Sequence, residues 1–145
     1  MKILMVCLGN ICRSPLAHGI LEKLAKEKGL DWQVDSAGTG NWHIGSPPDH
    51  RSVAVARRHG LDISRQVCRQ FTYRDFSEFD RIYAMDFDIR DTLLCKAKNE
   101  HDRKKISLFL PEAEVPDPYT DDTMFEPVYQ MIAKRCEEII AEGVK

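Results

Sequence analysis

Residues 2–16 read KILMVCLGNICRSPL, and this stretch decides the fold. The apolar run over residues 2–8 is short, β-prone and bounded by a Gly-Asn pair, which is typical of a fully buried parallel strand. Ser14 then stands as a candidate N-cap before Pro15 at the first helical position, and apolar residues recur at helical spacing until Gly29. The segment therefore predicts a strand, a tight loop and a helix.

The same alternation of strands and helices continues along the chain. Further strands are predicted at residues 32–36, 81–85 and 105–109, a loop at 37–41, and further helices at 50–60 (capped by Asp49), 88–99 and 124–142. Strands that alternate with helices indicate βαβ units with right-handed crossovers. We therefore expect an α/β fold, a doubly wound four-stranded parallel sheet of flavodoxin-like type with helices on both faces, in a single domain spanning residues 1–145. In such sheets ligands bind beyond the carboxyl ends of the strands, which points to residues 7–14.

Composition narrows the possible partners. The 145 residues contain 21 Lys plus Arg against 23 Asp plus Glu, a formal charge of −2, so no global positive field draws the chain to nucleic acid or to an anionic membrane. No stretch resembles a signal peptide or a membrane span, and we expect a cytoplasmic protein. The five cysteines are odd in number and contain no Cys-x-x-Cys pair, which favours reduced thiols. They share no paired ligand spacing with the histidines, so no metal site is expected.

The loop after the first strand carries the elements of an anion site. Cys7 and Arg13 lie six positions apart, directly after a strand and directly before a helix, whose N-terminus presents unpaired N–H groups with partial positive charge. Gly9 lets the loop wrap tightly, and Asn10 tolerates the left-handed conformation that turns N–H groups inward. The Arg13 guanidinium offers a bidentate fork for two phosphoryl oxygens. These residues predict a phosphate pocket with a sulfur at its floor.

The same surroundings favour chemistry at the sulfur. Thiols at helix N-termini beside an arginine ionise readily, so we expect Cys7 to be a nucleophile, with the Ser14 hydroxyl as a hydrogen-bond donor to it. A leaving alkoxide or phenoxide needs a proton, and Asp117, stiffened by Pro118 in the loop after the fourth strand, is the predicted general acid. Other acids in the same loop compete for this role: Glu112, Glu114, Asp121 and Asp122.

A second cysteine and arginine share the spacing of the first pair. Cys68 and Arg74 also lie six positions apart, but they enclose no glycine, follow no predicted strand, and hold Phe71 and Tyr73 between them. Aromatic side chains would crowd an anion there. This pair is predicted not to form a site.

Three segments, residues 6–15, 36–39 and 117–119, resemble the low-molecular-weight protein tyrosine phosphatases in order and spacing over nearly the whole chain. The resemblance implies hydrolysis of phosphotyrosine, an aryl phosphate monoester, through a phosphocysteine intermediate on Cys7 and without metal or other cofactor. The expected partners are phosphotyrosine-containing proteins or peptides, with inorganic phosphate as product and inhibitor.

The resemblance also assigns roles residue by residue. It implies that Cys7 is the nucleophile, Arg13 the phosphate clamp, and Asp117 the acid and later the base. The residues expected to bind substrate are Leu8, Gly9, Asn10, Ile11, Cys12, Ser14, Trp42 and Tyr119. Among these, the side chains that resemble apolar walls around an aromatic ring are Leu8, Ile11, Trp42 and Tyr119. The residues expected to support the loop are Asn10, Ser14 and Ser36.

Two positions depart from the family pattern. Many members carry a histidine shortly after Ser64 that helps tie the phosphate loop, whereas this chain has Arg65 and Gln66 there. Members from animals often carry a second tyrosine after Tyr119, where this chain has Thr120. The composition of the loop-holding network and regulation by phosphorylation at this loop are therefore open.

The cysteines lead to one further expectation, and the phosphate cradle is compatible with two alternative functions. Cys12 lies five residues from Cys7, and we expect peroxide to form a disulfide between them. A thiol-dependent arsenate reductase has a similar loop. It would need resolving cysteines on a mobile segment after the second helix. Only Cys68 lies in that region of this chain, and Cys95 lies in a predicted helix. A non-catalytic phosphate-binding or phosphotyrosine-binding module is a second alternative. Both would keep the phosphate cradle.

Overall fold

Four parallel strands form one sheet in a computed structural model that describes residues 1–143. They are β1 (Lys2–Cys7), β2 (Gln33–Gly38), β3 (Arg81–Ala84) and β4 (Ile106–Leu108), arranged in the order β2-β1-β3-β4. Residues Ile3 to Val6 of the central strand β1 are fully buried, as a parallel strand covered on both faces requires. The predicted α/β fold with a four-stranded parallel sheet is confirmed.

Six α-helices within residues 1–143 connect and cover the strands. They are α1 (Arg13–Glu27), α2 (His50–Arg58), α3 (Asp75–Glu78), α4 (Phe87–Lys96), α5 (Glu100–Lys104) and α6 (Phe125–Gly143). A short 3-10 helix at Asp122–Met124 leads into α6. No helix among residues 1–143 combines the length and apolar character needed to cross a membrane.

The core is split by the sheet into two apolar clusters. On one face, Ile3 and Met5 of β1 join the cluster formed with α1 and α6. On the other face, Leu4 and Val6 join the cluster that contains Phe76 and Leu93 of the helices α3 and α4. Alternate residues of a strand point to opposite faces, so this division follows from the backbone of β1.

Several element boundaries differ from the sequence-based expectation. The helix α1 begins at Arg13, and Cys12 occupies the N-cap position, so Ser14 lies inside the first turn and is not the N-cap. The prediction for Ser14 was wrong because the helix begins before it, and the Ser14 hydroxyl contacts Cys7 at the end of β1 and Asn10 of the preceding loop instead. The strand β2 extends to Gly38, since the ladder with β1 continues until Gly38 pairs with Cys7.

The region after β3 also differs from its prediction. One helix was expected over residues 88–99, but α4 ends at Lys96 and a separate helix α5 follows. Ala97 adopts an extended conformation, and the Asn99 side chain accepts a hydrogen bond from the Asp102 N–H, which starts α5 anew. The short helix α3 was not predicted.

The carboxyl ends of the strands meet at one edge of the sheet. Cys7 ends β1 beside Gly38 of β2, and Val6 pairs with Ala84 at the end of β3. The ladder continues beyond the strands, because Thr39 N–H donates to the Cys7 carbonyl and Gly40 N–H to the Leu8 carbonyl. The loop after β1 is therefore fixed against the end of β2 before α1 begins.

Candidate active site

The Cys7 thiol lies at the floor of the loop that joins β1 to α1. Its Sγ atom is 3.0 Å from the Ser14 Oγ and 3.3 Å from the backbone nitrogen of Asn10, which donates to it. Cys7 is 3% exposed, so these contacts are made away from bulk water. The sulfur thus has a backbone N–H donor and a serine hydroxyl beside it.

The Asn10 side chain determines which way the Ser14 hydroxyl points. The Asn10 Oδ1 accepts a hydrogen bond of 2.9 Å from the backbone N–H of Arg69, which can only donate, and this fixes the orientation of the amide. The Asn10 Nδ2 therefore donates to the Ser14 Oγ at 2.8 Å. Because the Ser14 oxygen accepts this hydrogen bond, its own hydrogen is available to the Cys7 sulfur 3.0 Å away.

The loop is tight at two points. Asn10 has a φ of 58°, the left-handed conformation predicted for it. Gly38 at the end of β2 leaves room for the loop, because a Cβ there would lie 2.8 Å from the Leu8 carbonyl oxygen and 3.0 Å from the Asn10 nitrogen. Any larger residue at position 38 would displace the loop backbone.

Arg13 is a buried guanidinium with three acceptors around it. Its Nη1 donates to Asp86 Oδ2 at 2.8 Å and to the Val115 carbonyl at 2.9 Å, while its Nη2 lies 3.8 Å from Asp117 Oδ2. Burial opposes the charge, but Cys7, Asp86 and Asp117 outweigh this and raise the pKa of Arg13 above its ordinary value. Because both anchoring bonds use Nη1, the Nε and Nη2 donors remain to form a fork toward an anion.

Asp117 sits at the rim of the same site. Its Oδ1 accepts the Tyr119 N–H at 3.1 Å, which sets the direction of the carboxylate, and its side chain is 48% exposed. Tyr119 lies beside Arg51, whose guanidinium carbon is 5.3 Å from the ring centroid. Arg51 is held in turn by Asp49, with an Nη2 to Oδ2 distance of 2.9 Å. The rim is therefore tied to the start of α2.

A cavity of about 170 Å³ brings most of the predicted residues together. It is lined by Cys7, Leu8, Gly9, Ile11, Cys12, Arg13, Trp42, His43, Asp117 and Tyr119. Leu8, Trp42 and Tyr119 are among the exposed large hydrophobic side chains of the protein. The cavity thus has a sulfur, a guanidinium and a carboxylate near apolar walls.

Three predicted residues lie outside the cavity lining. Asn10, in the loop, and Ser14, in the first turn of α1, are buried and support the loop through the contacts described above. Ser36 is also buried, and its Oγ is 3.1 Å from the Nδ1 of His18. Ser36 is thus placed on the neighbouring strand β2 with a partner on α1.

Sequence reasoning missed three residues of this region. Asp86 follows β3 at the same sheet edge, caps α4 by accepting the Ile89 N–H through Oδ1, and binds Arg13 through Oδ2. An acid directly after a predicted buried strand was the signal available for it. His43 lines the cavity, and the Cys68 thiol donates to the Asn10 carbonyl. Neither has a local sequence signal.

The remaining cysteines do not fit the arsenate reductase alternative. Cys68 is 3% exposed and hydrogen-bonded to the loop, and Cys95 is exposed on the helix α4. The second Cys-Arg pair also separates, since Cys68 is buried whereas Arg74 is exposed at the start of α3. Within residues 1–143, no three His, Cys, Asp or Glu side chains are grouped so that they could hold a metal ion.

Comparisons with known proteins all match the chain to one protein family. The family model described as low molecular weight phosphotyrosine protein phosphatase matches residues 2–145. The chain is 41% identical to the low molecular weight protein-tyrosine-phosphatase YfkJ of Bacillus subtilis, over 97% of this chain and 94% of that one. It is 39% identical to the human low molecular weight phosphotyrosine protein phosphatase, over 98% and 95% of the two chains.

Solved structures agree with the sequence matches. The crystal structure of a protein tyrosine phosphatase from Entamoeba histolytica, with Hepes in the active site, superposes with a TM-score of 0.91 at 35% identity, covering 98% of this chain and 96% of that one. The family model, the relatives and this structure all match along nearly the full length, and the sequence resemblance stated above is confirmed. The chain therefore belongs to the low molecular weight phosphotyrosine protein phosphatase family and is an enzyme that dephosphorylates phosphotyrosine.

Proposed function

We propose that this phosphatase acts through a phosphocysteine on Cys7, with Arg13 as the phosphate clamp and Asp117 as the acid and then the base. One observation carries the proposal. The sulfur of Cys7, the guanidinium of Arg13 and the carboxylate of Asp117 converge on one cavity, although Asp117 lies more than a hundred residues along the chain from the other two.

Binding of the phosphate dianion uses the loop and Arg13. The helix α1 starts at Arg13, and the Cys12 side chain at its N-cap makes no capping hydrogen bond, so the first N–H groups are available to an anion. The Nε and Nη2 of Arg13 complete the cradle with two parallel hydrogen bonds. Exposed Trp42 and Tyr119 at the rim offer flat apolar surface to the aromatic ring of the substrate.

The first chemical step is an in-line displacement on phosphorus. The Cys7 thiolate forms a bond to phosphorus while the bond to the tyrosyl oxygen breaks, and the protonated carboxyl of Asp117 gives its proton to the leaving phenolate. Charge that develops on the equatorial oxygens is stabilised by the loop N–H groups and Arg13. The products are the phenol, the phosphocysteine and ionised Asp117.

The second step returns the enzyme to its starting state. The Asp117 carboxylate removes a proton from a water molecule, whose oxygen attacks phosphorus as the bond to sulfur breaks. Hydrogen phosphate leaves, Asp117 is protonated again, and the Cys7 thiolate is restored. The Ser14 hydroxyl, directed at the sulfur by Asn10, stabilises this thiolate as a leaving group.

The nucleophile is tested with Cys7→Ser and a matched buried cysteine, Cys136→Ser, whose site is on α6. Hydrolysis of p-nitrophenyl phosphate is expected to be abolished in Cys7→Ser and retained in Cys136→Ser. Trapping of a phosphoenzyme at acid pH, followed by peptide mass spectrometry, is expected to place the phosphoryl group on Cys7. Appreciable turnover by Cys7→Ser, or a phosphoryl group on another residue, would overturn the proposal.

The acid is tested by changing the leaving group. Asp117→Ala is expected to lower kcat/KM for phosphotyrosine by about 100-fold or more, because the phenolate leaves without a proton. The loss is expected to be smaller for p-nitrophenyl phosphate, whose leaving group is a weaker base. Asp121→Ala, in the same loop, is the control and is expected to treat both substrates alike. Equal losses on the two substrates in Asp117→Ala would assign the acid elsewhere.

A further inference from the structure

Asn10 takes part in four of the hydrogen bonds that hold the phosphate loop in shape. Its N–H donates to Cys7, its Nδ2 donates to Ser14, and its Oδ1 accepts from the Arg69 N–H. The remaining polar group, the backbone carbonyl oxygen, accepts a hydrogen bond from the Cys68 Sγ at 2.7 Å. A left-handed residue other than glycine costs about 1–2 kcal/mol, so its surroundings must hold it.

Cys68 is fixed independently of the loop. Its N–H donates to the Ser46 carbonyl and its carbonyl accepts from the Gly45 N–H, both at 2.8 Å. The next residue, Arg69, is paired with the buried carboxylate of Asp75, at 3.0 Å from Nη2 to Oδ1. Cys68 is therefore presented from a rigid segment, and its thiol is 3% exposed.

We infer that Cys68 is a positioning residue for the phosphate site, and that its thiol, by donating to the Asn10 carbonyl, orients the peptide between Asn10 and Ile11. The peptide bonds of residues 1–143 are trans, so the carbonyl of Asn10 and the N–H of Ile11 point in opposite directions. Holding the carbonyl toward Cys68 turns the Ile11 N–H to the other side of the peptide. Ile11 lines the cavity, and its N–H is then placed to donate a hydrogen bond to the bound phosphate.

The chemistry of Cys68 suits a permanent donor. Burial, with a smaller effect of nearby Cys7, raises the pKa of Cys68 to about 11, so the S–H proton stays in place near neutral pH. A carbonyl oxygen can only accept, hence the sulfur must donate.

The neighbouring Gln66 does not make this contact. Its Nε2 donates to the Pro15 carbonyl in the first turn of α1 at 3.1 Å. Position 68 therefore supplies a loop contact that the altered stretch 64–66 does not.

The inference rests on the proposed function, because it concerns the loop that is proposed to bind phosphate around Cys7. The test compares Cys68→Ala, which removes the donor, with Cys68→Ser, which keeps a hydroxyl donor. Cys136→Ala is the matched control, since its buried thiol makes a long contact of 3.8 Å, to the Ala17 carbonyl. The readouts are the inhibition constant Ki of inorganic phosphate, kcat/KM for p-nitrophenyl phosphate, and Tm.

In Cys68→Ala, Ki for phosphate is expected to rise and kcat/KM to fall by about two- to tenfold, the range for one neutral hydrogen bond. In Cys68→Ser both values are expected to stay within about twofold of the wild type, because the hydroxyl restores the donor. Cys136→Ala is expected to lower Tm without moving Ki.

The inference is overturned by a folded Cys68→Ala enzyme with wild-type Ki, by Cys68→Ser as impaired as Cys68→Ala, or by Cys136→Ala raising Ki to the same extent. Should Cys68→Ala not fold, Cys68→Thr and Cys68→Val form a pair of equal shape that differ in the donor, and Ki is expected to rise only in the valine variant. Equal Ki in that pair would contradict the inference. Turnover by Cys7→Ser, measured in parallel, would instead refute the proposed function.

Discussion

Asp86→Asn tests whether the anchor behind Arg13 matters for phosphate binding. The Asp86 carboxylate accepts two hydrogen bonds, one from the Ile89 N–H at the start of α4 and one from the Nη1 of Arg13, both of 2.8 Å. An asparagine has one carbonyl oxygen and would present its NH₂ group to one of these donors. The substitution therefore keeps the size of the side chain but removes its charge and one of its two acceptors.

The magnitude follows from the burial of the pair. Arg13 is 4% exposed and the Asp86 side chain 19%, so water replaces little of the lost interaction. A hydrogen bond to a charged group contributes about 1.5–3 kcal/mol, which corresponds to about 10- to 100-fold in affinity or rate. Arg13 keeps its bond to the Val115 carbonyl and retains part of its position. We therefore expect a loss of about tenfold or more in kcat/KM for Asp86→Asn.

The assay separates positioning from stability. Steady-state hydrolysis of p-nitrophenyl phosphate gives kcat/KM, competition with inorganic phosphate gives Ki, and thermal melting gives Tm. Asp88→Asn is the control, because Asp88 is an exposed acid in the same first turn of α4. In Asp86→Asn, kcat/KM should fall and Ki should rise, with both near wild type in the control. A variant with lowered Tm but wild-type kcat/KM and Ki would refute the reasoning.

Three further outcomes follow from the surroundings of the site. Burial alone would raise the pKa of Asp49, but its hydrogen bonds from Arg51 lower it below the ordinary value. Asp49→Asn keeps the helix cap but removes the charge. The amount by which its Tm lies below that of the wild type should therefore be largest above about pH 4 and decrease as the pH falls further. A Tm difference that stays constant from pH 7 to pH 3 would contradict this. Gly38→Ala should displace the loop backbone and lower kcat/KM by about tenfold or more, with about 1–3 kcal/mol of lost stability in chemical denaturation; a wild-type rate would show that the loop accommodates the methyl group. Burial raises the pKa of Cys12 to about 12. The Cys12 thiolate attacks a Cys7 sulfenic acid, which forms the disulfide and releases hydroxide. Because the thiolate fraction rises with pH, the rate of disulfide formation should increase about tenfold per pH unit between pH 6 and 9. Mass spectrometry of peroxide-treated enzyme measures this rate, and a pH-independent rate or overoxidised Cys7 alone would count against it.

The sequence was sufficient for the fold because its signals there are local. The strand β1 is buried on both faces, so its apolar run marks it as a central parallel strand. The glycine and asparagine of the following loop mark the turn, and Pro15 in the first turn of α1 marks the helix start to within two residues. Once the sheet is parallel, the carboxyl ends of the strands lie at one edge, which predicts Cys7 and Asp117 at the same site.

The support of the site was not predictable in the same way. Asp86 contacts Arg13 across 73 residues of chain, and Cys68 contacts Asn10 across 58. Neither pair shares an element, and hydrophobic periodicity carries no information about which of the 23 acidic residues reaches a given arginine. The incorrect N-cap assignment of Ser14 has a different origin, since a hydroxyl that fits the capping rule is engaged by Cys7 and Asn10 just before the helix.

These distant contacts act on opposite sides of one loop. Asp86 and the Val115 carbonyl hold Arg13 at the helix end, whereas Cys68 and the Arg69 N–H hold Asn10 at the turn. The loop between β1 and α1 has no regular secondary structure of its own, so its shape depends on these supports. Phosphoryl transfer gains most of its rate from positioned donors. Losing a support on either side should therefore weaken phosphate binding, and because Asn10 and Arg13 belong to one short loop, the effects of losing one support on each side should depart from the product of the two single effects.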